Sequence, residues 1–545
     1  MAKQIIYDSE AKEKILAGVN KLEKAVSATL GPCGKNVIID EYGAIHSTKD
    51  GVSVAKSIVL KDKFENLGAN AIKEVAEKSN DRVGDGTTTS TLLAAAIYRN
   101  GLKYVNVGAN ATQVKNGIKK AADFIVNNIK TASQEICTKE HIEEVATVSA
   151  NGDKAIGSMI AEVMDKIGKD GTIKVENGNG TEMTSKIVEG MVIDQSYASP
   201  YMVTATETME AELENPFVLI ANKKLSNIQE LLPALQSISQ TGRPIFVIAD
   251  DYAEDILATM VMNKLRGLNI CAIKSPSYGD NRKAILNDIA TLCGGRVVSD
   301  ETGTRLENAV VESGILGQAK KVLVTKDNTV IFDGAGAKDQ IEARAESLRK
   351  QISNCKENYE KEKLQERLAK LTSGIGVISV GATTEAERKE LRDRVDDAFF
   401  ASKAAIRSGI VIGGGAALLR AKKALDNWNE TNVLGELVGD EKIGVKILCD
   451  SLEAPIRKIL ENAGIDSSMV VAKILDADKP NVGYDVLTKQ FVDMIEAGII
   501  DPTEVVVNEV QNAASVSGLL LTTDALIVEE PEEKHACAQP QMPMM

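Results

Sequence analysis

Aromatic side chains make up only 3% of the 545 residues, with a single Trp, although 43% of the chain is hydrophobic. The cores must therefore be assembled mainly from Ala, Val, Ile and Leu. Histidine is rarer still. His46, His141 and His535 stand far apart, which argues against a His-rich metal centre. The seven cysteines (Cys33, Cys137, Cys271, Cys293, Cys355, Cys449 and Cys537) contain no Cys-x-x-Cys pair. That spacing disfavours structural zinc and a disulfide framework, and favours reduced thiols in a reducing compartment. His535 and Cys537 are two positions apart, but they sit in a tail without apolar periodicity and make a poor metal site. Positive charge is in deficit: the net charge is -14, which argues against a nucleic-acid surface. Pairs such as Lys119-Lys120 and Lys320-Lys321 are then solvated faces. No uncharged apolar run is long enough to cross a bilayer. The nearest, 513–528, is interrupted by Ser and Thr and broken by Asp524. The first sixteen residues carry Lys3, Asp8, Glu10, Lys12, Glu13 and Lys14, unlike a signal or transit peptide. A cytoplasmic protein with neither membrane nor nucleic-acid partner is expected.

What is present is patterned. Length predicts about three domains at roughly 150 residues each. Ile15, Val19, Leu22, Val26 and Leu30 repeat at helical spacing until Gly31-Pro32 stops them. Two short strand-like runs, 36–40 and 45–48, flank a turn at Gly43, and a helix over about 66–80 follows. From Gly168 the texture changes. Residues 172–175 and 185–188 alternate as strands, and 217–221, 245–249 and 270–274 read as buried parallel strands with helices 228–239 and 253–266 between them. Residues 338–371 are charged and glycine-free, with two apolar stripes (Ile341, Ala345, Leu348, Ile352 and then Leu364, Leu368, Leu371). They predict a helical hairpin bent near 354–358 and packed internally. Beyond 413 the alanine-rich helical texture of the first 130 residues returns. This predicts a discontinuous helical domain with an α/β domain inserted into it. Residues 529–545 lack any apolar period and are expected to be disordered.

One stretch carries chemistry. In Gly84-Asp85-Gly86-Thr87-Thr88-Thr89, two glycines flank an acid before an Ala/Leu run that favours helix. Free N–H groups at a helix start, with threonine hydroxyls and a carboxylate at the lip, suit a nucleotide phosphate with a divalent cation. The same residue types also suit an N-capped helix after a glycine turn.

Further motifs follow in order: Ala28-Thr29-Leu30-Gly31-Pro32, Thr48-Lys49-Asp50-Gly51-Val52, Arg394-Val395-Asp396-Asp397-Ala398, Gly413-Gly414-Gly415 and Gly498-Ile499-Ile500-Asp501-Pro502-Thr503. Together with the Gly84–Thr89 stretch, they make a sequence that resembles the group I chaperonin family, the bacterial GroEL type, from about residue 2 to residue 528. The resemblance implies a multidomain α and α/β fold. Residues 1–131 and 408–528 would form an equatorial ATP-binding domain, 132–188 and 376–407 an intermediate hinge, and 189–375 an apical domain. It also implies an ATPase that assembles as a homo-oligomer, a seven-membered ring, single or double. That ring would capture unfolded client proteins and close under a GroES-type co-chaperonin lid.

Carried over residue by residue, the resemblance places Thr29, Leu30, Gly31 and Pro32 around the phosphates, with Gly86, Thr87, Thr88 and Thr89. Asp85 would hold Mg2+, and Thr29, Lys49 and Thr88 would hold K+. Asp397 and Asp50 would activate water, although a pair such as Asp396-Asp397 is more commonly an exposed helix acid. Gly414 would approach the nucleotide, Asp501 would bond the ribose, and Asp485, Val486, Leu487 and Ile499 would meet the base. The family commonly has Asn-Ala where this chain has Asp485-Val486, which favours contact with the base through the backbone. An apolar rim for clients and lid would use Tyr197, Tyr201, Met202, Leu232, Leu235, Leu257, Val261 and Met262, with Asn263 and Arg266 beside it. Such positions otherwise read as core faces of α/β helices. Gln195 replaces the family's apical Arg opposite Glu385, so that ion pair cannot form, and the 425–441 segment looks long; the strength of ring cooperativity and a single- or double-ring form both stay open. A passive client-holding scaffold, or a single-ring variant with weak ATPase, is the alternative. A small-molecule kinase is disfavoured because no Walker or protein-kinase motif is present.

Overall fold

Ile15, Val19, Leu22 and Val26 do share one helix face: the helix runs Asp8–Ser27 and buries all four. The computed structural model describes residues 2–529 apart from 42–43, 137, 169–170, 179, 206–207, 300, 302, 356–357, 373 and 432–436. The tail with His535 and Cys537, the turn at Gly43 and part of the 425–441 segment lie outside the described residues. Two compact units are present, one from Met1–Glu162, Asn179–Glu182 and Val380–Met545, the other from Val163–Gly178 and Met183–Ser379.

The first unit is helical. Asp8–Ser27, Lys63–Val83, Thr87–Val105, Ala111–Ala132, Glu441–Ser451 and Thr503–Leu521 contribute to one apolar core. Strand Lys3–Tyr7 pairs antiparallel with Ala525–Glu529, Lys3 opposite Glu529, so the two ends of the described chain are joined. Glycines let the helices meet backbone to backbone. A Cβ on Gly18 would lie 1.8 Å from the Glu65 carbonyl oxygen, and one on Gly68 would lie 2.3 Å from that of Ile15. The lone Trp428 stacks on Phe124 with ring centroids 5.0 Å apart. Helices Lys139–Ser149 and Glu385–Ser408 share a small core of Val145, Ala401, Ala405, Ile410 and Ile500.

The second unit is built on a seven-stranded sheet. Ile270–Lys274, Ile245–Ala249 and Phe217–Ile220 are parallel. They are almost wholly buried, as expected of strands covered on both faces. Helices Ile228–Ser239 and Glu254–Leu265 occupy the predicted crossovers. The sheet continues antiparallel through Gly317–Val324, Thr329–Gly334 and Gly190–Ile193, a half that the sequence texture did not reveal. The charged hairpin is Lys338–Asn354 and Asn358–Thr372, and Ala345, Leu348 and Leu371 enter the core of the same unit. Its Arg367 and the neighbouring Arg344 both bond the buried Asp288. Among the described residues no helix is long and apolar enough to cross a membrane. The 513–528 run ends its helix at Leu521 and turns into a strand.

Candidate phosphate-binding cavity

In the first unit, Asp62 caps the start of Lys63–Val83, accepting from the N–H groups of Phe64 and Glu65, and Gly84 ends that helix at φ 76. Gly86, also at φ 76, opens Thr87–Val105. No side chain caps this second helix, so its first-turn N–H groups are available to a ligand. Left-handed backbone on both sides of Asp85 is what the two glycines supply.

Every residue expected at the nucleotide lines one cavity of about 290 Å³: Thr29 to Pro32, Lys49, Asp50, Asp85 to Thr89, Asp397, Gly414, Asp485 to Leu487, Ile499 and Asp501. Thr29 Oγ1 donates to the Val26 carbonyl at 2.9 Å and stands 3.5 Å from Thr88 Oγ1. Asn462 holds the same turn by donating to the carbonyls of Ser27 and Leu30. Asp50 accepts from the N–H groups of Val52 and Ser53, which fixes its carboxylate at the start of Gly51–Ser57. Asp85 accepts from Gly86 N at 2.6 Å and from Ser149 Oγ at 2.8 Å. Asp501 accepts from the Gly414 N–H. The carboxylate of Asp485 is occupied in its own turn by Leu487 N and Thr488 Oγ1, which leaves the backbone for any contact with a base.

The cavity is rich in acid. Asp50, Asp85, Asp397, Asp501 and Glu509 line it, with Lys49 the cation among the lining side chains. Burial, then Asp50, Asp85 and Asp393, hold the Asp397 carboxyl well above its ordinary range. Burial also raises Asp85, against the opposing bonds from Ser149 and Gly86 and with help from Asp50. Asp501 is pushed up to about 7 by burial and the charge of Asp85. Glu509 is raised by burial, Asp501 and Asp85. Such a site repels a bare polyphosphate and favours one that arrives with cations. Among the described residues no three acidic, His or Cys side chains form a ready metal cluster. A divalent ion would therefore share Asp85 with ligand and water oxygens, as Mg2+ commonly does. The donor set fits Mg2+ at Asp85, and the paired hydroxyls of Thr29 and Thr88 fit K+.

Ser149 and Glu509 are cavity residues that the sequence did not single out. Ser149 ends a helix without any pattern to mark it. Glu509 carried a signal, an acid that follows the apolar Val505–Val507 run and Asn508 on a buried helix.

In the second unit the expected rim residues divide. Tyr201 is 77% exposed and Met262 50%, and Tyr197, Leu232, Leu257 and Val261 are half-buried. Leu232, Leu235, Asn263 and Arg266 line a groove of about 540 Å³. Two positions need correction. Met202 is fully buried, its sulfur accepting from Ala272 N, and Leu235 is 5% exposed within the core. An apolar helix face looks the same in sequence whether it is covered or open.

Compared with known proteins, residues 22–531 match the family model described as the TCP-1/cpn60 chaperonin family. Two crystal forms of the chaperonin gp146 from the bacteriophage EL 2 (Pseudomonas aeruginosa), both in the presence of ATP-BeFx, share the fold at 20% sequence identity. Crystal form II superposes with a TM-score of 0.72 and form I with 0.66, each covering 97% of this chain and 99% of that chain.

Proposed function

This chain belongs to the TCP-1/cpn60 chaperonin family, and on that premise we propose that it is an ATP-driven group I folding chaperone. It captures non-native proteins on an apolar apical rim and encloses them in a ring-shaped cavity under a co-chaperonin lid. The observation that carries this reading is the convergence of separate segments, near residues 29, 50, 85, 397, 414 and 501, on one acid-rich cavity.

When bound with Mg2+ and K+, ATP supplies the phosphoryl group whose transfer to water drives the cycle. The chain's part is positioning and proton handling. The N–H groups and hydroxyls of Thr87, Thr88 and Thr89, with the Thr29–Pro32 turn, orient the phosphates. Asp85, fixed by Ser149 and Gly86, would present its carboxylate to the divalent ion, and Thr29, Lys49 and Thr88 would offer oxygens to the monovalent one. Asp50 is locked by its capping bonds and orients the attacking water. Asp397, held toward its protonated form by burial and its acidic neighbours, would become a carboxylate once cations offset them, and that carboxylate can accept the proton of the attacking water. Asp397 stands on the Glu385–Ser408 helix, which falls in the proposed hinge (132–188 with 376–407). Hydrolysis then waits on hinge closure. Residues 1–131 with 408–528 serve as the equatorial domain and 189–375 as the apical one. In the apical domain, the groove with Leu232, Asn263 and Arg266, together with the exposed Tyr201 and Met262, receives clients and lid in turn. An adaptable, Met-containing apolar surface suits many partners.

Steady-state hydrolysis by wild type and Asp397→Ala tests the reading. Wild type is expected to turn over ATP in Mg2+ and K+, and the variant to lose about 100-fold or more, the usual worth of a general base, while still binding nucleotide. A wild type without turnover, unchanged by the substitution, would leave a passive client-holding scaffold. Negative-stain electron microscopy with and without ATP reports ring number and closure.

A further inference from the structure

Of the acids lining the cavity, Glu509 has no task in the scheme above. It stands on the Thr503–Leu521 helix, eight residues after Asp501 of the preceding Ile500–Pro502 strand, and is 6% exposed. Its Oε1 lies 2.8 Å from where a Cβ on Gly86 would project, and Val505, one turn earlier, closes the same spot at 2.7 Å. The carboxyl group therefore rests directly against the Gly84–Gly86 loop. The Thr89 hydroxyl is near enough to that carboxyl group to favour its charged form. A helical Thr divides between two rotamers because its hydroxyl can turn back onto a carbonyl of the preceding turn. The next two residues do this: Ser90 bonds the Gly86 carbonyl and Thr91 the Thr87 carbonyl, each at 2.8 Å. Thr89 and Glu509 both line the cavity.

We propose that Glu509 is a positioning residue that fixes the Thr89 hydroxyl for the phosphates and seats the loop through Gly86. The proposal rests on the phosphate-site reading of the cavity. A hydrogen bond of the right shape is what the role requires, so Gln should serve where Ala does not. Calorimetric binding of MgADP, with melting curves recorded alongside, provides the test. Loss of one buried hydrogen bond predicts binding about tenfold weaker for Glu509→Ala. Glu509→Gln should stay within about twofold, and Thr89→Val, which removes the hydroxyl itself, should bind at least as weakly as Glu509→Ala. The Thr89→Val, Glu509→Ala double variant should bind within about twofold of Thr89→Val alone, because Glu509 acts mainly through the hydroxyl that Thr89→Val already removes. Binding by Glu509→Ala within about twofold of wild type, a Gln variant as weak as the Ala variant, or losses that multiply in the double variant would each overturn the proposal. Should Glu509→Ala fail to fold, weak binding by Thr89→Val with near-normal binding by Glu509→Gln supports it, and normal binding by Thr89→Val refutes it. A wild type that does not bind MgADP would instead sink the phosphate-site reading.

Discussion

Removing nucleotide and Mg2+ should make the protein less stable as the pH rises through the slightly acidic range. The reason lies in the cavity acids. Asp501 titrates at about 7 in the folded chain against an ordinary 3.8. Between those values the folded chain keeps a proton that the unfolded chain has released. The unfolded state then binds fewer protons, and stability falls with pH until about 7. At about 1.4 kcal/mol per unit, the whole shift is on the order of 4 kcal/mol, and the part between pH 5.5 and 7 is about 2 kcal/mol. For a domain of this size that is roughly 4 °C in melting temperature. Differential scanning calorimetry of the cation-free protein from pH 5.5 to 7.5 is the assay, with Asp501→Asn as reference. Asp397 and Glu509 shift in the same direction, so the difference between the two proteins reports Asp501 together with its part in raising Glu509. The wild-type slope should be the steeper, and MgADP should flatten it if its Mg2+ offsets the Asp85 charge that helps to raise Asp501. Equal slopes in the two proteins, or a wild-type melting temperature that rises with pH over this range, would refute the electrostatic account of the cavity.

Three other perturbations have definite outcomes. Gly18→Ala drives a Cβ to within 1.8 Å of the Glu65 carbonyl oxygen, which must push two helices apart and should cost about 1–3 kcal/mol in urea unfolding. Adding Gly68→Ala should cost less than its own single effect, since the helices have already separated. Gly51→Ala would put a methyl group 2.1 Å from Thr88 Oγ1. It should displace that hydroxyl and raise the K+ concentration needed for half-maximal ATP hydrolysis, with a smaller effect on Mg2+ dependence. Asp288→Ala strands Arg344 and Arg367 beside a buried site and should destabilise the second unit by about 3–5 kcal/mol, seen as faster limited proteolysis of residues 183–379.

Much of the fold was legible because its causes are local. The Ile15–Val26 stripe, the 228–239 helix and the two stripes of the 338–371 hairpin all appear close to where periodicity put them. The glycines on either side of Asp85 announce a left-handed turn, because few other residues adopt that backbone freely. The motifs at 28–32, 84–89 and 413–415 likewise marked most of the cavity wall. Tertiary structure alone brought Glu509 to Thr89, 420 positions earlier in the chain, and put Ser149 on Asp85. It also decided which apolar side chains of the second unit are covered, sending Met202 and Leu235 inward while Tyr201 stays outside, and it added the antiparallel half of that sheet. Periodicity and turn chemistry act over a few residues and leave their mark in the order of the chain. Burial and the meeting of charges depend on which distant helix faces come together, and no local pattern records that.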